Sequence, residues 1–132
     1  MRAITACTAL ILSLAAPGAS AKVLTYAIDV QSDFGSFTDC VHLDTRAASP
    51  LTIDGYGPGL VSAWNQLGTD RSGFVAVSGP AADYSIAFAG ELRQGRTVLV
   101  GNAVTHEGLR FHLSGIQTET CTPTLQRSAR WR

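Results

Sequence analysis

Charge is scarce in this chain and what there is cancels: ten basic residues stand against ten acidic ones in 132. Without a basic excess there is no electrostatic footprint for non-specific nucleic-acid binding. Histidine is nearly as scarce, with His42, His106 and His112 alone, and no H-E-x-x-H spacing brings two of them together. The chain also lacks G-x-S-x-G, a phosphate-cradling glycine loop, a D-x-[DN]-x-[DN]-G calcium loop, a C-x-x-C pair and any N-x-S/T acceptor. These gaps remove the motif-bearing serine hydrolases, nucleotide enzymes, redox domains and glycosylated modules. They leave an expectation of no cofactor and no metal. Past residue 21 there is no long apolar run either, so the remainder is expected to hold no membrane span.

The first 21 residues are a different matter. Arg2 opens them with a positive charge, and Ala3 to Ala16 are almost wholly apolar. Pro17 and Gly18 break the run, and Ala19-Ser20-Ala21 has the small-x-small pattern of a cleavage site. This is the make-up of a secretory signal peptide, which places the working protein outside the cytoplasm, secreted or periplasmic, from Lys22 onward. Removing it leaves 111 of the 132 residues, enough for one small domain over 22–124, followed by a flexible basic tail over 125–132. Removing Arg2 from the ten basic residues leaves nine against ten acidic, a net of −1.

The same cut turns three cysteines into two. Cys7 lies inside the signal run, and Cys40 with Cys121 remain. Two cysteines in a small exported domain read as one disulfide. Closing a loop over the 81 residues that separate them contributes about 4.5 kcal/mol in the chain-entropy picture.

Period-two alternation dominates the rest. Leu24, Tyr26, Ile28 and Val30 share one face, then a turn at Ser32-Asp33-Phe34-Gly35 leads into Phe37 to Leu43. Phe37, Val41 and Leu43 face one way there, with Asp39 among them. Leu60, Trp64 and Leu67 stand at i, i+4 and i+7 before Gly68, which reads as one short helix. Further short strands follow at Phe74–Val77, Tyr84–Ala89, Arg96–Val100, Ala103–His106, Leu109–Leu113 and Ile116–Cys121. A three-residue turn at Arg93-Gln94-Gly95 would set Val98 and Val100 on the Phe88 face. A two-residue turn at Glu107-Gly108 would put His106 and His112 on opposite faces. The expected fold is all-β: a small antiparallel sandwich or barrel of about seven to nine short strands with one short helix.

Candidate chemistry is thin. His42 and Asp44 share a strand face and form an acid–base pair on paper, with His112 as a further candidate. Positions i and i+2 on a strand lie about 7 Å apart, long for a direct hydrogen bond, so a solvated polar face is the plainer reading. Five aspartates crowd residues 29–54 without a calcium loop pattern, and serve turns and their own backbone instead. Tyr56, between two glycines, and Trp64 are the binding candidates, as loop aromatics that hold sugars or proteins; the alternative is that both pack onto the core. Arg127, Arg130 and Arg132 flank Trp131 in a tail expected to be solvated. The leading expectation is therefore an exported binding or accessory module for a protein or carbohydrate partner. Its rivals are a small hydrolase using a His/Asp pair and a structural envelope or matrix component.

Overall fold

The computed structural model describes residues 23–82, 84–124 and 131. The expected signal peptide, and the expected tail apart from Trp131, lie outside the described residues. Eight strands run in chain order: β1 (Val23–Ser32), β2 (Gly35–Asp44), β3 (Leu51–Ile53), β4 (Leu60–Gln66), β5 (Ser72–Ser78), β6 (Ile86–Arg93), β7 (Val98–Thr105) and β8 (Arg110–Gln117). All pair antiparallel in one sheet of order β3-β2-β1-β8-β7-β6-β5-β4. This is a meander in which β1 meets β8, curled into a nearly closed barrel. Of the two architectures left open by the alternation, the barrel is the one adopted.

The alternation decides what goes inside. Leu24, Tyr26, Ile28 and Val30 of β1 are buried and their neighbours Thr25, Asp29 and Gln31 are not. Val41 and Leu43, Leu51 and Ile53, Phe74 and Ala76, Phe88 and Leu92, Leu99 and Ala103, Phe111 and Leu113 complete the interior. Each fully buried side chain of this size contributes roughly 1.5–3 kcal/mol over its exposed form.

The barrel closes unevenly. β1 and β8 share a continuous ladder from Tyr26↔Gln117 to Ser32↔Phe111. At the other seam β3 and β4 form no ladder, and serine side chains bridge them. Ser62 N–H donates to Ser49 Oγ at 2.9 Å, Ser49 Oγ donates to Leu60 O at 3.0 Å, and Leu51 N–H donates to Ser62 Oγ at 2.8 Å. Ser62 is accordingly buried, although it is polar.

Four expectations need correction. Residues 60–67 are not helical: Leu60, Ser62 and Trp64 face inward in strand β4, opposite Ser78, Ala76 and Phe74. The serine at a buried seam position hid the alternation. Second, the pieces expected at 96–100 and 103–106 are one strand, β7, and those at 109–113 and 116–121 give one strand, β8, that stops at Gln117.

Third, Leu99 and Ala103, not Val98 and Val100, lie on the Phe88 face, because Arg93 pairs with Val98 across a loop of residues 94–97. Gly90 and Gly101 face each other in that ladder, and a Cβ at Gly90 would stand 2.5 Å from Phe74 Cζ. Phe74 stands opposite Gly90 in the β5–β6 ladder, and its ring takes the space that a side chain there would fill. The loop takes three successive left-handed residues, Gln94, Gly95 and Arg96. Two are not glycine, a conformation that needs outside support. Tyr26 Oη donates to Arg96 O at 2.6 Å, and the Arg96 guanidinium lies 4.8 Å from the Trp64 ring centroid. Burial pushes the Tyr26 hydroxyl up to about 12, against the lowering influence of Arg96.

Fourth, Trp131 is buried at 1% exposure, so the expectation of a solvated tail fails at that residue. After β8 the chain doubles back along the outside of β1 and β2. Thr118 N–H donates to Thr25 O, Cys121 is bonded to Cys40, and Thr38 Oγ1 donates to Thr124 Oγ1 at 2.8 Å. The disulfide, with Cα atoms 5.9 Å apart, thus joins β2 to this strap and not to the last strand.

Candidate functional site

His42 is half-exposed on the outer face of β2, where Thr25 of β1 and Thr52 of β3 are its cross-strand neighbours. Its carboxylate partner is Asp54, which follows β3. His42 Nε2 lies 2.9 Å from Asp54 Oδ1, and Nδ1 lies 3.1 Å from Thr25 Oγ1. A carboxylate oxygen only accepts, so in the neutral ring Nε2–H donates to Asp54 and Nδ1 accepts from the Thr25 hydroxyl. That polarity is what a general base needs. Asp44 takes no part: its carboxylate accepts the Arg46 N–H at 3.0 Å in the loop after β2. The i, i+2 spacing failed as a guide because β3 brings Asp54 to the histidine from the neighbouring strand.

The other histidines stand apart from this pair. His112 Nδ1 is 3.1 Å from Asn102 Oδ1 across the β7–β8 ladder. His106 sits in the hairpin loop with its N–H donating to Ser85 O and its ring 5.7 Å from that of Tyr84. The expected two-residue turn is in fact longer. Thr105 N–H donates to Leu109 O, Val104 pairs with Arg110, and Gly108 takes a φ of 87°. Val104, Arg110, Asn102 and His112 consequently share the outer face. Among the described residues no group of three or more His, Cys, Asp or Glu side chains could hold a metal ion. Among the described residues there is no helix long and apolar enough to cross a membrane.

The two binding candidates both pack against the core. Tyr56 Oη donates to Tyr84 O at 2.6 Å and its ring meets Phe88 edge-on at 5.8 Å. Trp64 is half-buried inside β4, beneath Arg96. Tyr56 lies half-buried in the loop after β3, and Trp64 lies in a strand, not in a loop.

Sequence reasoning passed over the outer wall of β4–β7. Val61 pairs with Val77, Ala63 with Val75, Val75 with Ala89, and Val77 with Ala87, which in turn pairs with Val104. All of these side chains point away from the interior. Val61, Val75, Val77 and Val104 are between 43% and 57% exposed. The alanines form the floor of two adjoining shallow concavities of about 390 and 500 Å³ that meet at Ala89. Leu67 and Asn65 bound one end, Arg110 and Asn102 the other. Glu91 lies on the same outer face of β6, held by Arg71 and Arg93, whose hydrogen bonds pull its carboxyl below the ordinary glutamate range. The signal was present: Val75 and Val77, and Ala87 and Ala89, are the apolar outward members of strands whose inward members are apolar too. Period-two alternation is weak there, and only the known register assigns the sides.

No family model, no curated protein and no solved structure matches this chain.

Proposed function

We propose that the chain is an exported binding module whose partner is a protein, docked on the apolar outer wall of β4–β7. The observation that carries the reading is the unbroken run Val61, Val77, Ala87, Val104 with Ala63, Val75 and Ala89 beside it, all on one exposed face. Contiguous apolar surface of this kind marks interaction sites in small domains. Two features favour a protein over a carbohydrate. The outward side chains of this wall, Val61, Ala63, Val75, Val77, Ala87, Ala89 and Val104, include no aromatic ring of the kind that holds sugars, and the rings that line its concavities, Trp64, Phe74, Phe88 and Phe111, belong to inward positions of the strands. In addition, beyond Leu60 and Ser62, whose edge groups Ser49 takes up, no strand pairs with the outer edge of β4 among the described residues, so the face runs to an edge at residues 63–66 that can take an extended partner segment.

Export is supported by the signal-peptide composition and by the Cys40–Cys121 bond, which suits an oxidising compartment. Material recovered from outside the cytoplasm should begin at Lys22 and weigh two hydrogens less than the reduced chain; an intact Met1 form there would contradict export. For the docking wall, the double variant Val75→Lys/Val77→Lys should lose a partner that the wild type retains, with the fold intact. Equal retention by both proteins, or association only with a second copy of the chain, would overturn the reading.

A second reading, a small hydrolase, is supported by the Thr25–His42–Asp54 line, in which a histidine does meet a carboxylate within hydrogen-bond reach. Neither of the two wall concavities includes these residues. It predicts turnover of an ester or amide substrate that His42→Ala abolishes and Asp44→Ala leaves unchanged.

A further inference from the structure

The interior of an eight-stranded barrel is just wide enough to be filled by side chains or to hold one small ligand. Here the strands leave one position to a residue that belongs to none of them. Trp131 reaches the barrel from beyond the strap, and its ring packs among Phe37, Phe88 and Phe111 with centroids 5.2 to 5.3 Å away. Its indole N–H donates to Asp39 Oδ2 at 2.9 Å.

Asp39 is the unusual partner. It is 1% exposed in an apolar interior, where an ionised carboxylate is costly unless its oxygens are bonded. The sheet provides for one oxygen: Oδ1 accepts the Cys40 N–H at 2.8 Å and the Gly55 N–H at 2.9 Å. A Cβ at Gly55 would overlap the carboxylate, so the glycine is what lets the backbone approach. For Oδ2 the strands offer no donor among the described residues, where the indole N–H of Trp131 fills that role. Without Trp131, the fold would present an aromatic box with one buried acceptor aimed into it.

From this geometry we infer that the barrel interior is a ligand site for a planar aromatic ring bearing an N–H donor, an indole-class compound, and that Trp131 is its occupant in cis. The box supplies two edge-on ring contacts, from Phe37 and Phe88, and a tilted one from Phe111, and Asp39 Oδ2 selects for the N–H. Because Trp131 lies outside the strand ladders, its departure breaks no ladder hydrogen bond.

The test uses the full oxidised chain labelled with 5-fluorotryptophan. It has two tryptophans, Trp64 and Trp131, and the Trp64→Phe variant assigns their fluorine resonances. Added indole should move the Trp131 resonance to its solvent-exposed position while Trp64 stays put. 1-Methylindole, which has the ring without the donor, should need at least tenfold more for the same effect, since a hydrogen bond to a charged acceptor is worth that factor or more. A Trp131 resonance that holds its buried position up to the solubility limit of indole would overturn the inference. So would equal potency of the two compounds. As a second measurement, Trp131→Gly, where it folds, should take up one indole, and adding Asp39→Asn should weaken that uptake by about tenfold; binding by Trp131→Gly with an immovable Trp131 in the wild type would mark a core residue and nothing more.

Discussion

The two sides of the barrel wall are built from the same alternation and finished differently. Over β1 and β2 the outer face is polar, with Thr25, Asp29, Gln31 and His42, and the strap to Thr124 lies across it under a disulfide. Over β4 to β7 the middle of the outer face is valine and alanine, bounded by Asn65, Glu91 and Asn102, and none of the described residues crosses it. The chain spends its own covering on the side that needs it least by polarity. The bare side is therefore not a face the chain lacked the means to cover, and an apolar wall left open beside a strand edge that no ladder covers is what a protein partner would use. The seams differ in the same direction: the β1–β8 ladder is continuous, and the β3–β4 join depends on two serines.

The contrast can be strained in stages. The largest effect is expected from the covered side. Cys40→Ala/Cys121→Ala should lower unfolding stability by about 2–5 kcal/mol in denaturant titrations, the usual range for a native disulfide of a small domain. An unchanged midpoint would mean that the strap holds without its bond. Next comes the weak seam. Ser62→Ala removes the acceptor for the buried Leu51 N–H, at a cost of about 1–3 kcal/mol. Amide exchange should accelerate at Leu51 ahead of the β1–β8 ladder; uniform acceleration over the barrel would show that the seams are equally strong.

On the bare wall, Val77→Lys should change stability by no more than about 0.5 kcal/mol, because the side chain already faces solvent. A loss several times larger would mean that this wall packs against part of the chain itself. The smallest effect is at the edge of that wall. The Glu91 carboxyl is held below its ordinary value by hydrogen bonds from Arg93 and Arg71. A depressed folded value stabilises at pH above the unfolded value and is lost as pH falls through the folded one. Glu91→Gln should therefore remove a shallow acid-side loss of stability and leave neutral behaviour close to wild type. A steeper acid dependence in the variant would contradict the assigned sign.

Much of the framework was legible because local and global demands agree there. The β1–β2 hairpin, with a clean alternation and Gly35 at its turn, is found where the pattern puts it, and the Cys40–Cys121 pairing follows from counting. The misreadings have particular causes. Ser62 occupies an inward position as a seam bridge, which broke the β4 pattern and left a helix-like spacing of Leu60, Trp64 and Leu67. Gly90 leaves room for the Phe74 ring, and Gly101 lets its strand approach the backbone of Ala89 and Gly90; a reading that maximises β-branched contacts cannot see these close approaches. His42 meets Asp54 through a strand pairing absent from its own neighbourhood. Trp131 sits among arginines and looked solvated, yet Asp39 gave a hint: an aspartate on the same strand face as Phe37, Val41 and Leu43 is a buried acceptor in need of a donor.

The central claim is that the β4–β7 wall is a partner surface and the β1–β2 side is not. The most direct measurement is site-specific photo-crosslinking in the native compartment, with a photoreactive residue placed at Val77 or at Gln31, which points outward from β1. The account predicts a discrete protein adduct from position 77 and none from position 31. Equal labelling at both positions, or no adduct at 77, would contradict it.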